Sequence, residues 1–312
     1  MKPDSENRGR TDQVAGKLVM VCGAARSGTT MLDLMLGNSE DAMSTGEISR
    51  LFRPFRKHHK NPVCSCGEID CPVWRDLTEG PESVFHENIF LKRPAIKFVV
   101  DSSKDLRWIF DSNIWADRAN LPMVNVVLWK DPIDLSYSYW RRGENVDFYR
   151  KAFFTYYERF LDLKLPFVSL NYKQLVTDAN GTLEALCNTL GIEYRESRVN
   201  FWEKRHHHFF GSSGTRNQIG SKGATLTYKT EYPDEFVKLF EREARWIESD
   251  RRFSRIVAEL RAHDVIQGRP SETNGFLAVR RPLWYYRHTL KALWWKYFPL
   301  PVPEPNKFRQ LD

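Results

Sequence analysis

The chain reads as a P-loop-like, three-layer α/β domain, a central parallel sheet flanked by helices. Three observations predict it. Short apolar runs rich in β-branched residues recur as far as Tyr172, each followed by a segment with helical signals. The first run opens into a glycine-hinged loop and a helix start, "LVMVCGAARSGTTMLDLML" at 18–36. The 312 residues, 41% of them apolar, suffice to bury the core of one large domain.

The elements follow in order. Strands are predicted at "KLVMVC" (17–22), "IKFVVD" (Ile96 to Asp101), "VNVVLW" (Val124 to Trp129) and "PFVSLNY" (Pro166 to Tyr172). Strands alternating with helical segments imply parallel pairing, and ligands of such sheets sit beyond the carboxyl ends of the strands. Between the first two runs lies an insert, 40–95, that carries a cysteine cluster. Beyond residue 200 the strand signal fades, and "DEFVKLFEREARWI" (Asp234 to Ile247) has the spacing of an amphipathic helix. The expected organisation is a loose N-terminal tail at 1–16, the α/β domain at 17–270, and a basic, aromatic extension at 271–312.

A formal charge of +7 favours anionic partners. The polar N-terminus lacks the apolar core of a signal peptide, and no apolar run reaches the length of about 18 residues that a bilayer requires. Five cysteines in a long chain do not look like a secreted disulfide framework, so a reducing, cytoplasmic setting is expected. Cys22 and Cys187 fall on apolar faces and read as core residues.

The loop after the first strand fits G-x-x-x-x-G at Gly23 and Gly28, but Thr29 stands where a phosphate-loop lysine belongs. The glycines let backbone approach a phosphate, the helix start offers free N–H groups, and Thr29 and Thr30 add hydroxyls. The cation has moved into the loop, to Arg26. An ATPase needs the lysine on its outer phosphates. This loop suits a ligand whose phosphate chain ends earlier.

"RSGTTML" at 26–32 resembles the 5′-phosphosulfate loop of sulfotransferases that use 3′-phosphoadenosine 5′-phosphosulfate (PAPS). The resemblance implies that Arg26, Ser27, Gly28, Thr29 and Thr30 hold the 5′ end of the donor, with Arg26 also stabilising the leaving phosphate. After the third predicted strand, "LWKDPIDLSYSYWRRG" is similar to the family's 3′-phosphate motif, with Lys130 in place of the usual arginine and Ser138 eight positions later. Asp131 and Pro132 there suit the cap and first position of a helix. "FVSLNYKQLVTDANGTLEALCNTLGI" resembles the family's following strand and helix pair, so its patterns span about Leu18 to Arg216.

Further residues enter through the same resemblance. In "VVDSSKDLRW", Asp101, Ser103 and Lys104 are expected at the cleft, Lys104 on the acceptor side, with a capped turn at Asp105 as the plain alternative. "HHHFFGSSGTRNQIGSKG" (206–223) resembles the late glycine-rich loop whose basic residue closes on the 3′-phosphate. Arg216 is the first choice and Lys222 the second. Glu47 in "STGEISRLF" is the expected base and His208 its substitute, whereas Ser44 and Glu47 also have the spacing of a capping box. The reading implies no metal requirement, and an acceptor that is a small molecule, a glycan or a lipid-linked sugar.

"CSCGEIDCPVW" brings Cys64, Cys66 and Cys71 together in sequence. It reads first as a packed thiol cluster. A structural zinc would need a fourth ligand, with His58, His59 and His86 as candidates, and a disulfide is the third reading. The C-terminal extension reads as a helix docking its aromatic side, or as a peripheral membrane contact through Trp284, Trp294 and Trp295. Two rival functions remain: a P-loop kinase or nucleotide-binding protein with an atypical loop, requiring ATP and Mg²⁺, and a basic membrane-surface or nucleic-acid-binding module. Nucleic acid is not expected, because basic and aromatic residues interleave only in the tail.

Overall fold

The computed structural model describes residues 16–268 apart from 61, 69, 222–225, 227 and 229–230, together with 281–282 and 284–286. The chain divides into two compact units, Met1–Leu277 and Ala278–Asp312. The first contains β1 (Lys17–Cys22), α1 (Thr29–Leu36), β2 (Ala42–Gly46), α2 (Ser49–Phe52), α3 (Phe85–Lys92), β3 (Phe98–Asp101), α4 (Leu106–Arg118) and β4 (Met123–Trp129). After these come α5 (Pro132–Trp140), α6 (Tyr149–Asp162), β5 (Phe167–Asn171), α7 (Tyr172–Thr177), α8 (Ala179–Leu190), α9 (Ser213–Arg216), α10 (Asp234–Ser249) and α11 (Arg251–Ala262). In the second unit residues 284–286 form a helical turn, with the Tyr285 N–H donating to the Pro282 carbonyl. Trp294, Trp295 and Lys222 lie outside the described residues.

The strands form one sheet in the order β2-β3-β1-β4-β5, and every neighbouring pair is parallel. Both faces are covered, which is why β1 reads as an unbroken apolar run from Leu18 to Cys22 and β4 is interrupted only by the buried, hydrogen-bonded Asn125. Val19, Val21, Val126, Leu128, Val168 and Leu170 point into a core shared with Leu32 and Met35 of α1 and Leu183, Leu186 and Leu190 of α8. Cys22 and Cys187 are fully buried, as expected of core residues.

The sequence reading missed one strand. β2 lies inside the predicted insert, and its residues "AMSTG" lack the β-branched density that marks the others. It is held by parallel pairing with β3 and by the Thr45 hydroxyl, which donates to the Val100 carbonyl at 3.0 Å. β3 begins at Phe98 rather than Ile96, because the Ile96 N–H is used in a turn back to the Arg93 carbonyl.

The connection after β1 runs to one edge of the sheet, whereas β4 and β5 build out the other side. The carboxyl ends of β1 and β4 therefore flank the point where the winding reverses, the crevice where open α/β sheets place their ligands. No helix among the described residues is long and apolar enough to cross a membrane.

Candidate active site

The loop at 23–28 turns sharply from β1 into α1. Arg26 (φ 76°) and Gly28 (φ 102°) are both left-handed, with Ser27 between them. Alternation of this kind turns successive amides to one side and forms a concavity for an anion. Gly28 is also required sterically, since a Cβ there would lie 2.6 Å from the Tyr172 ring. In the first turn of α1 the Met31 N–H already donates to the Gly28 carbonyl at 2.9 Å, which leaves the Thr29 and Thr30 N–H groups as the helix-start donors beside the loop.

Aromatic hydroxyls hold the loop from behind. Tyr156 Oη accepts from the Gly23 N–H at 2.9 Å, Tyr157 Oη donates to the Leu128 carbonyl at 2.9 Å, and Tyr139 Oη donates to the Ala25 carbonyl at 3.2 Å. The Ser27 hydroxyl donates to the Ala24 carbonyl at 2.8 Å, so its hydrogen closes the loop rather than facing a ligand. Thr30 Oγ1 accepts from the Ser212 N–H at 3.0 Å, and Thr29 and Thr30 are buried.

Arg26 touches Ser212 Oγ through a guanidinium N–H at 3.4 Å, while its buried Nε has no hydrogen-bond partner. Burial, and after it the approach of Arg142 and Arg141, destabilises the guanidinium charge and lowers its pKa. Lys130, 8% exposed, lies 3.8 Å from the centre of the Tyr172 ring and donates to Ser138 Oγ at 3.4 Å. Burial pushes its pKa down to about 8, Asp134 pulling up and Arg26 pushing further down. Asp134 itself accepts hydrogen bonds from Tyr228 at 2.9 Å and Tyr232 at 2.6 Å. The loop and the β4 end are thus one constellation of mutually repelling cations around Tyr172.

Asp131 takes the helix-capping position and Pro132 the first turn of α5, but the Asp131 carboxylate makes no cap bond. It accepts instead from Asn171 Nδ2 at 3.4 Å, which ties α5 to the end of β5.

Glu47 is 3% exposed and pairs with both Lys104 and Arg50. Burial pushes its carboxyl up, yet Lys104 and Arg50 outweigh it and hold the group below the ordinary carboxylate range. The capping-box alternative fails: Ser44 is inside β2, and α2 starts only at Ser49. Asp101 does not face the cleft. It is fully buried, accepting from Trp108 Nε1 at 2.8 Å and the Ser103 N–H at 2.7 Å, and pairing with His86 Nε2 at 2.9 Å. Ser103 is likewise buried, its hydroxyl accepting from the Ser49 N–H at 3.0 Å. Asp105 caps α4, accepting from the Arg107 N–H at 2.9 Å.

One segment joins the two ends of this cleft. Phe209 bridges to Gly46 in parallel and donates its N–H to the Thr45 carbonyl at 3.2 Å, while its carbonyl accepts from the Glu47 N–H at 2.9 Å. Three residues later Ser212 reaches Arg26 and Thr30. Three residues span at most about 10 Å, so Glu47 and Arg26 flank a single short stretch of chain. The sharp approach of Phe209 needs Gly46 (φ 71°), since a Cβ there would collide with the Phe209 carbonyl. His208 is fully enclosed on this segment, neither ring nitrogen has a hydrogen-bond partner, and burial, with His206 and Arg216 nearby, pushes its pKa down to about 3. The ring is therefore closed off from solvent. Arg216 ends α9 and donates to the Phe210 carbonyl at 3.3 Å.

The cysteine cluster has a fourth member that sequence reading did not select. Among the described residues, Cys64, Cys66, Cys71 and His207 place their ligand atoms within 4.8 Å of one another. The earlier candidates are elsewhere: His86 is tied to Asp101, and His58 and His59 pack edge to face on each other. Tyr172, Arg141, Arg142 and Ser212 were also missed as site residues. The only sequence signal for the arginines was their position at the end of the second motif.

These features define an α/β domain with the cations Arg26 and Lys130 gathered at the carboxyl ends of neighbouring strands. No family model and no curated protein matches the chain. Among solved structures it is similar to the sulfotransferase domain from the Synechococcus PCC 7002 olefin synthase, at 18% identity and a TM-score of 0.46, covering 78% of this chain and 98% of that one. The sulfotransferase domain from the curacin biosynthetic pathway aligns at 16% identity and a TM-score of 0.44, over 73% and 98% of the two chains. A sulfotransferase from Alicyclobacillus acidocaldarius gives 16% and 0.42, over 78% and 94%.

Proposed function

We propose that the protein transfers a sulfuryl group from PAPS to a hydroxyl or amine acceptor. The observation that carries this reading is the approach of two cations at adjacent strand ends, Arg26 in the loop after β1 and Lys130 at the end of β4, with Arg141 and Arg142 just past the end of α5 adding to the repulsion on Arg26. Burial and mutual repulsion disfavour the charges of Arg26 and Lys130, and Arg26 keeps a buried, unpartnered Nε. A donor with phosphate at both its 5′ and 3′ ends relieves both strains. The residues fit it: the left-handed loop and Arg26 hold the 5′ end, Lys130 and Ser138 the 3′-phosphate. When bound, the donor supplies a sulfuryl group already activated by its anhydride link to phosphate.

The chain's own contribution is position and charge. Arg26 stabilises the negative charge that grows on the bridging oxygen, and, as an arginine, does so without giving up its proton. Glu47 is the base that takes the acceptor's proton. Lys104 and Arg50 keep it ionised across the neutral range and fix its carboxylate by their ion pairs. A loose transition state, by analogy with phosphoryl transfer, places most of the catalysis in such fixed charges. The acceptor class stays a hydroxyl- or amine-bearing small molecule, glycan or lipid-linked sugar.

The deciding experiment is thermal stabilisation by adenosine 3′,5′-bisphosphate against ATP, each with and without Mg²⁺. The proposal expects the bisphosphate to raise Tm without Mg²⁺ and ATP to do so weakly. Strong stabilisation by Mg²⁺–ATP alone would make the protein a kinase-like nucleotide binder instead.

A further inference from the structure

We propose that Cys64, Cys66, Cys71 and His207 bind a structural zinc ion that clamps the cysteine insert to the segment carrying Phe209. The four ligand atoms lie within 4.8 Å of one another, and His207 Nδ1 is 3.2 Å from Cys71 Sγ and 3.9 Å from Cys64 Sγ. Tetrahedral zinc with ordinary bond lengths sets its ligand atoms about 3.5–3.8 Å apart. The cluster therefore needs only shifts of a few tenths of an ångström to an ångström, the longer separations closing and the 3.2 Å one opening, to hold a metal. Three sulfurs and one imidazole nitrogen is also a donor set that structural zinc takes, and with four protein ligands it leaves no open position for substrate.

The surrounding backbone is organised for this. Cys64 pairs antiparallel with Phe209. The Ser65 N–H donates to the His208 carbonyl at 2.9 Å, the Ser65 hydroxyl donates to the His206 carbonyl at 2.6 Å, and the His208 N–H donates to Ser65 Oγ at 3.1 Å. The Gly67 N–H closes a turn on the Cys64 carbonyl at 2.9 Å, which folds Cys66 back toward its partners. Arg205 donates to the Cys66 carbonyl at 3.4 Å and pairs with Glu68 at 2.6 Å. Its positive charge stands beside a centre that, with three thiolates and Zn²⁺, carries one net negative charge. All five cysteines are free, so no disulfide competes for these sulfurs.

The consequence reaches the cleft. His207 is two residues from Phe209, whose backbone holds Thr45 and Glu47 at the end of β2. A metal at His207 fixes that segment from the side opposite β2, so the zinc acts as a positioning element for the Glu47 end of the cleft. It does not depend on what the cleft binds.

The test uses the full chain, expressed in zinc-supplemented medium and dialysed against a chelator. Elemental analysis is expected to find one zinc per folded chain, and cobalt substitution to give the thiolate-to-metal charge-transfer absorption of a tetrahedral sulfur-rich site. Cys66→Ser and His207→Ala should lose the metal to background, whereas Cys187→Ser should keep it. Should the ligand variants fail to fold, the wild-type stoichiometry and cobalt spectrum still decide. A folded wild-type chain without zinc and with its thiols open to alkylation would overturn the proposal. So would a disulfide within the cluster, or full zinc retention in both ligand variants.

Discussion

Lys130 offers the sharpest test of the cleft, because its function and its cost to the fold have opposite signs. The residue is 8% exposed and its pKa is pushed from the ordinary 10.5 to about 8 by burial. A shift of that size corresponds to about 3 kcal/mol of disfavoured charge. In the unfolded chain the lysine keeps its proton up to 10.5, whereas in the fold it releases it near 8. Between those values the unfolded state binds more protons, so folding stability from this residue rises with pH across that window and is lowest below it. Lys130→Met should therefore raise the stability of the ligand-free protein at pH 7, by up to about 3 kcal/mol, with the gain vanishing above the window.

The same substitution should damage ligand selection. A 3′-phosphate restores the charge partner that Lys130 lacks, and a charge-assisted bond in a dry site contributes about 1.5–3 kcal/mol. By calorimetry, wild type should prefer adenosine 3′,5′-bisphosphate over adenosine 5′-phosphate by about 10- to 150-fold. Lys130→Met should erase most of that ratio. In wild type the ratio should shrink as pH rises above about 8, because binding then requires a proton to be taken up. Equal affinity of wild type for the two nucleotides would refute the 3′-phosphate assignment. A destabilised Lys130→Met at pH 7 would refute the account of the buried charge.

Four further outcomes are expected. Arg26→Ala should lower kcat by about 10²- to 10³-fold while changing bisphosphate affinity far less, and a loss confined to KM in steady-state kinetics would reduce Arg26 to a binding residue. Glu47→Gln should lower kcat at least about 10²-fold with bisphosphate affinity kept. Lys104→Met should move the acid limb of the kcat–pH profile upward, since it removes the stronger of the two charges holding the Glu47 carboxyl down. Asp33, buried on α1 with Ser102 Oγ donating at 2.7 Å, is pushed up to about 7 by burial from an ordinary 3.8. Here the folded state holds a proton that the unfolded state has released, so stability falls as pH rises through that range. Asp33→Asn should therefore gain on wild type from near zero at pH 4 to about 4 kcal/mol at pH 8 in denaturant titrations, and a constant gap would contradict it.

The legible parts of the fold share one physical cause. A parallel strand covered on both faces must be apolar at consecutive positions, so β1, β3, β4 and β5 announced themselves as β-branched runs. β2 did not, because an edge strand of small and polar residues draws its stability from pairing with β3 rather than from its own side chains. At the candidate site, local patterns reached what local geometry decides: the sharply turned loop at 23–28, and the contact of Lys130 with Ser138 across the start of α5. They failed where distant segments converge. Tyr172 meets Lys130 only because β5 pairs with β4, and His207 meets Cys71 only because Cys64 pairs with Phe209. Asp101 was misplaced for a related reason. Its position at a strand end suggested the cleft, but the insert's own helix brings His86 over it and α4 brings Trp108, which converts it to a buried acceptor.

The placement of Glu47 carries a tension that its ion pairs explain. A carboxylate held below its ordinary pKa is a weak base, yet a burial of 97% without cations would protonate it and leave no base at all. Lys104 and Arg50 resolve this in favour of the ionised form. In a loose transfer the acceptor's proton becomes acidic only as its oxygen or nitrogen bonds to sulfur, so the base is needed late and need not be strong. What it must be is fixed. Glu47 is held by its backbone to Phe209, by its side chain to Lys104 and Arg50, and through Ser212 three residues further on the same segment leads to Arg26. The proposed base and the proposed leaving-group cation are thereby set by one short stretch of chain, so under that proposal a disturbance of the stretch should reach proton removal and leaving-group stabilisation together.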